Sequence, residues 1–381
     1  MAGQPFTINV PQQTLDDLRE RLEQTRWPDE VAGAGWDYGV DLGYLKELVA
    51  YWRDGFDWRA QEQALNRLAH VRIEIDGAGL HFVHERGQGP NSMPLLLIHG
   101  WPDSIVRFAK LIPLLTDPAA HGGDAADSFD VVVPSIPGYG FSDRPAERGV
   151  DEARVADRFA RLMTAELGYE RYGVHGGDIG SGIGELMARA VPQSLLGLHL
   201  LDVPYWHVFT PPADPSAAEQ AYFAAIGEWQ QQEGAYAMVQ ASKPQTLAYG
   251  LNDSPAGLAA WVVEKFRAWS DCDGDIERAF SKDELLTNLT IYWATETAGS
   301  AARIYFEAPQ DPGAGGEIGR VEVPTGFASF PKDIVPAPRE WAERFFPVQR
   351  WTPMPRGGHF AALEEPDLLA EEIRAFFRPL R

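Results

Sequence analysis

The chain has 381 residues, a formal net charge of -22, 45% hydrophobic residues and one cysteine. That length exceeds an average single domain and leaves room for a large α/β core with additions. The negative charge argues against nucleic acid and anionic membrane as partners, and the lone Cys272 excludes an internal disulfide.

In chain order, the N-terminus "MAGQPFTINVPQQ" lacks the basic-then-apolar pattern of a signal peptide. No run approaches the ~18 apolar residues of a membrane span, so a cytoplasmic protein is expected. Leu15, Leu18 and Leu22 recur among charges in "QTLDDLRERLEQ", which predicts an amphipathic helix over 13–24. A second short helix is expected over 43–52, and "VRIEI" and "LHFVHE" joined by "DGAG" read as a hairpin. The apolar runs "PLLLIHG" (94–100) and "FDVVVPSIPG" (129–138) are stopped by Gly or Pro, as buried parallel strands require. A helix over 152–167, the strand "YGVHG", the helix "SGIGELMARAV" and the strand "LLGLHLLDVP" continue a βαβ rhythm. After Pro204 the rhythm breaks into aromatic, polar, helical sequence up to about residue 300. Strand character resumes in "VEVPTGFASF" (321–330) and "VQRWTPMP" (348–355), and "EPDLLAEEIRAFF" closes with a helix.

The expected fold is α/β, a mostly parallel sheet flanked by helices. Its parts are an N-terminal extension wrapping the core (1–90), the first part of the core (91–204), a helical lid (205–300) and the second part of the core (301–381). A lid inserted between strands covers the strand C-termini, where ligands of open α/β sheets bind.

"GGDIGS" (176–181) has the small residues that a sharp strand-to-helix turn needs, and it carries Asp178 where hydrolases of this type carry a nucleophile. An Asp here also fits a plain helix cap, and the turn alone leaves both readings open. "HGWPDS" (99–104) ends the first core strand, so the Trp101 amide and the amide of Ile179 are the expected oxyanion donors. His359, in the glycine-rich loop "RGGHFAALEEP" after the last strand, is the histidine in the position of a triad base. His175 reads as packed within its strand and His207 as a lid residue. Asp333 in "FPKDIVP" follows a strand as a triad acid should, although an exposed loop Asp beside Lys332 fits too. Asp311 lies on the wrong side of that strand. His81 and His84 alternate on a strand and point to opposite faces, so they are expected to be structural, and no metal site is expected.

Together, "HGWP", "PGYGFSD" (137–143), "GGDIGS", "ALEEP", "LNDSPAGLAAWVVEKF" (251–266), "RWP" (26–28) and "DWR" (57–59) resemble the epoxide hydrolases of the α/β-hydrolase fold, specifically the microsomal-like branch. The resemblance covers nearly the whole chain. It implies two lid tyrosines that hold the epoxide oxygen, matched by Tyr236 in "YAMVQASKP" and Tyr305 in "ARIYFE", and an acid at Asp333. Membrane-bound members of that branch carry an N-terminal anchor, which this sequence does not begin with.

An aspartate nucleophile suits this chemistry. Serine attack on an epoxide would leave an ether, whereas aspartate attack leaves an ester that water can cleave. The expected substrates are a small apolar epoxide and water, with no cofactor. A partner chain, if there is one, is expected to be a second copy in a homodimer. A haloalkane dehalogenase shares the Asp nucleophile, but it places a halide-binding Trp beside it, where this chain has Ile179.

Overall fold

The computed structural model describes residues 3–308 and 319–381; Asp311 lies outside them. Among the described residues nine strands form one sheet: β1 (Gln4–Pro5), β2 (His70–Ile75), β3 (Ala78–Glu85), β4 (Met93–Ile98), β5 (Phe129–Pro134), β6 (Tyr172–Gly176), β7 (Leu195–Leu200), β8 (Thr325–Ser329) and β9 (Val348–Pro353). Their order is β1-β2-β3-β5-β4-β6-β7-β8-β9, antiparallel through the β3–β5 pair and parallel from β5 onward. The sheet is flanked by helices, which is the α/β-hydrolase architecture.

The strand runs read from the sequence are apolar on both faces because both faces are covered. Leu95 and Leu97 enter one buried cluster with Val131, Val133 and Phe376, while Leu96 and Ile98 enter a second with Val132, Val174 and Leu200. The chain leaves β4 for β5 on one side and returns to β6 on the other, so order reverses at β4. The crevice beyond the C-termini of β4 and β6 is the switch point where ligands of such sheets bind. Ile98 and Gly176, the last residues of those two strands, are direct neighbours.

Strand character begins later than expected in "VEVPTGFASF": β8 starts at Thr325, because Pro324 has no N–H to give the ladder. The helix expected over 152–167 is α-helical over Glu152–Arg161 and widens to a π-helical turn over Leu162–Glu166.

Between β7 and β8 the described residues are helical or irregular, with the helices Ala217–Gln232 and Lys282–Thr295 each opened by a capping box, Ser216 with Glu219 and Ser281 with Glu284. The helix Ala298–Glu307 straddles the expected lid boundary at 300. The N-terminal segment adds β1 to the sheet edge, and its helices grip this insertion as well as the core. Trp52 Nε1 donates to Thr290 Oγ1 at 2.9 Å, Tyr51 donates to Asp283 at 2.8 Å, and Arg21 pairs with Asp253 at 2.7 Å. Among the described residues no helix is long and apolar enough to cross a membrane.

Candidate active site

At the end of β4 the chain turns through His99–Ser104. The Gly100 amide donates to Asp103 at 3.0 Å, the Tyr292 hydroxyl donates to the Asp103 carbonyl at 2.9 Å, and Asn288 donates to the Pro102 carbonyl at 2.8 Å. A β-carbon on Gly100 would lie 2.4 Å from Asp178 Oδ1, so only glycine fits between loop and carboxylate. The Trp101 amide donates to that same Oδ1 at 2.8 Å.

Asp178 occupies a sharp turn with φ 59° and ψ -132°, a conformation that costs a non-glycine residue about 1–3 kcal/mol. The surroundings hold it there. The Asp178 amide donates to Asp202 Oδ2 at 2.8 Å, and the Ser181 amide donates to the Asp178 carbonyl at 2.9 Å. A β-carbon on Gly176 would sit 2.3 Å from the Gly180 carbonyl oxygen, which is the close strand–helix approach anticipated from "GGDIGS". Asp178 stands at the N-cap of the helix Ile179–Ala190, but its side chain accepts no capping bond. The helix-cap reading therefore fails, and the carboxylate is turned away from the helix, toward the Trp101 amide and His359.

His359 meets Asp178 there. Its Nε2 faces Asp178 Oδ2 at 3.4 Å, and its Nδ1 lies 2.7 Å from Asp333 Oδ1, which also accepts the Ile334 amide at 2.7 Å. Burial opposes charge on the ring, but the carboxylates of Asp333 and Asp178 outweigh it and push its pKa up to about 10. Burial likewise works against the charge on Asp333, and the His359 cation overcomes it, so that carboxyl lies below its ordinary range.

Tyr236, on the helix Ala235–Ser242, and Tyr305, on the helix Ala298–Glu307, close the site from the insertion. The Tyr236 ring stacks on Trp101 at 4.9 Å and 10°, and Tyr305 meets both rings edge-on at 6.1 Å. Trp269 packs against Tyr236 at 5.1 Å and sets its edge to His359 at 5.3 Å. Burial, then the neighbouring charges, hold both phenols well above the ordinary tyrosine range, so both keep their protons.

Asp178, His359, Asp333, Tyr236, Tyr305, Trp101 and Ile179 thus converge at one crevice, with Ile179 opening the helix after Asp178. The sequence reading passed over Asp202, whose pKa burial and the Asp333 charge push up to about 7, and Arg107, buried behind the loop. Arg107 pairs with Asp103 and donates to the His359 carbonyl at 2.5 Å. The position of Asp202 just past β7, at the same end of the sheet as Asp178, was the available signal. His81 bonds His70 at 3.0 Å and Ser135 at 2.9 Å, while His84 reaches Tyr169 at 3.0 Å. They serve separate structural contacts, and no group of ligating residues among those described could hold a metal ion.

Two family models match the chain: "Epoxide hydrolase N terminus" over residues 3–108 and "alpha/beta hydrolase fold" over residues 93–240. A Stigmatella aurantiaca protein that bears the epoxide hydrolase name is 45% identical over 378 residues, spanning 99% of this chain and 85% of its own. Epoxide hydrolase 1 of Sus scrofa is 38% identical over 402 residues, spanning 98% of this chain and 88% of its own. The solved structure of Aspergillus niger epoxide hydrolase superposes with a TM-score of 0.88 at 30% identity, covering 100% of this chain and 97% of that one.

Proposed function

The chain belongs to the epoxide hydrolase family and is a hydrolase of epoxides; from that premise we propose that it works in two covalent steps through an ester on Asp178. The observation that carries the reading is the division of labour between the two Asp178 oxygens. Oδ1 is occupied by the Trp101 amide, whereas Oδ2 accepts no such bond among the described residues and faces His359.

In the first step Oδ2 attacks an epoxide carbon, the C–O bond to the ring oxygen breaks, and a tyrosine hydroxyl gives that oxygen a proton. Tyr236 and Tyr305 suit this role because burial keeps them protonated. Esterification removes the charge of Asp178 and with it one of the two carboxylates that hold the proton on His359. The ring's pKa falls, its proton restores the tyrosine, and neutral His359 becomes a base only once there is an ester to cleave.

In the second step His359 takes a proton from water and the hydroxide adds to the Asp178 carboxyl carbon. Asp333 orients the ring and stabilises the imidazolium. The resulting oxyanion forms on Oδ1, where the Trp101 amide already donates and the Ile179 amide follows the nucleophile. Each such donor contributes about 3 kcal/mol to lowering the barrier. Collapse expels the diol with Oδ2, His359 returns a proton to it, and the new carboxyl proton passes to His359. The aromatic wall of Trp101, Tyr236, Trp269 and Tyr305 favours an apolar epoxide.

The test is His359→Gln, which keeps the nucleophile and the tyrosines of the first step and removes the base of the second. Mixed with an aryl or alkyl epoxide, this variant should gain the full mass of the epoxide on the peptide containing Asp178. A variant that remains unmodified across such a panel sinks the two-step reading.

A further inference from the structure

The motif "ALEEP" has no role in the mechanism above, yet one of its carboxylates is bound to the loop of the base. Glu364 Oε1 accepts the Phe360 amide at 2.9 Å, and its Oε2 accepts the Gly358 amide at 3.0 Å and the Asp271 amide at 2.8 Å. Gly358 and Phe360 flank His359, and Asp271 belongs to the helical insertion, two residues beyond Trp269. The joint is reciprocal. The His359 amide donates to the Trp269 carbonyl at 2.8 Å, and the Gly357 amide donates to Asp271 Oδ2 at 2.9 Å. The approach leaves no spare room, since a β-carbon on Gly358 would fall 2.7 Å from the Trp269 carbonyl oxygen. Burial penalises the charge on Glu364, and the three amides work against that penalty. Three backbone donors converging on one carboxylate exceed what closing a four-residue helical turn requires.

We propose that Glu364 is a positioning residue for His359, fixing the amides on both sides of the base and locking them to the Asp271 turn, so that the ring is aimed at the ester while the insertion is seated. This rests on the reading of His359 as the base of ester hydrolysis. Glutamine cannot replace the carboxylate, because its amide nitrogen accepts no hydrogen bond and both oxygens of Glu364 are acceptors.

Stopped-flow tryptophan fluorescence, reporting from Trp101 and Trp269, separates ester formation from ester hydrolysis in single turnovers. Glu364→Gln should slow hydrolysis roughly 10- to 100-fold, the range for a displaced catalytic group, and leave ester formation unchanged. Glu364→Asp, which keeps the charge but withdraws it from the amides, should show a smaller loss in the same step. Glu365→Gln is the control, since Glu365 pairs with exposed Arg356 at 2.6 Å, and both steps should stay at the wild-type rate. Equal slowing of the two steps, or no slowing of hydrolysis, overturns the proposal. Should neither Glu364 variant fold, amide exchange in the unaltered protein decides: Gly358 and Phe360 should exchange far more slowly than Arg148 in its exposed loop, and exchange as fast as Arg148 overturns it. Failure to form any ester in the wild type would instead indict the covalent reading itself.

Discussion

Asp178 is fixed by main-chain amides, that of Trp101 bound to its Oδ1 and its own bound to Asp202, whereas the Tyr236 and Tyr305 rings reach the same site packed against other aromatic rings. On the sheet side, the geometry is set by backbone: the Trp101 amide, the Asp202 acceptor, and glycines at positions where a β-carbon would collide. On the insertion side, the tyrosine rings pack with Trp229 and Trp269 and, across the site, against the Trp101 ring of the sheet side. Backbone fixation suits the proposed nucleophile, which presents one oxygen while the other is held by an amide. Ring packing suits the wall for an apolar epoxide that we propose.

The sharpest way to break the comparison is to remove the insertion's chemistry while keeping its packing. Tyr236→Phe with Tyr305→Phe keeps the rings and deletes both donors, so ester formation should fall by about 10⁴-fold or more, taking roughly 10²–10³ per donor. Single-turnover rates would reveal it, and a double variant with normal ring opening would remove the tyrosines from the mechanism.

On the sheet side, Asp333→Asn should leave ester formation nearly intact and cut ester hydrolysis by roughly 10³- to 10⁴-fold, through the loss of ring orientation and imidazolium stabilisation. Equal effects on the two steps would argue against that role.

A third outcome concerns protonation. With its pKa raised from 6.5 to about 10, His359 is charged throughout the neutral range. Its ion pairing therefore adds stability that is complete below pH 6.5 and is lost as pH rises toward 10. Asp178→Asn removes one of the two carboxylates, so the His359 midpoint followed by NMR should move down and the alkaline loss of stability should shrink. A midpoint equal to that of the wild type would contradict the charge switch. The smallest effect is expected for Asp202→Ala, which strands the Asp178 amide and should cost about 1–3 kcal/mol in denaturant unfolding.

The two sides also differed in how legibly the sequence announced them. Glycines forced by backbone contact leave a mark at fixed offsets, so "GGDIGS" and "HGWP" pointed to Asp178 and Trp101 on physical grounds. His359 and Asp333 were readable because each follows a core strand, and the structure joins them at 2.7 Å. Tyr236 and Tyr305 carried no such mark. They are two of the chain's twelve tyrosines, and only the family resemblance selected them. Asp202 and Arg107 went unseen because their partners, the Asp178 amide and the His359 carbonyl, are distant in sequence and contribute backbone atoms. The sheet's central order was implicit in the βαβ rhythm. The grip of the N-terminal helices on the insertion was not, because it rests on single long-range contacts such as Trp52 with Thr290.

The most direct test of the covalent ester is a single turnover of the wild-type enzyme, in excess over an epoxide, in water enriched in oxygen-18. If Asp178 Oδ2 attacks carbon and water attacks the carboxyl, the diol of that first turnover carries no label and the peptide containing Asp178 gains one labelled oxygen. Label in the first-turnover diol, with none on Asp178, would mean that water opens the ring directly and would contradict the account.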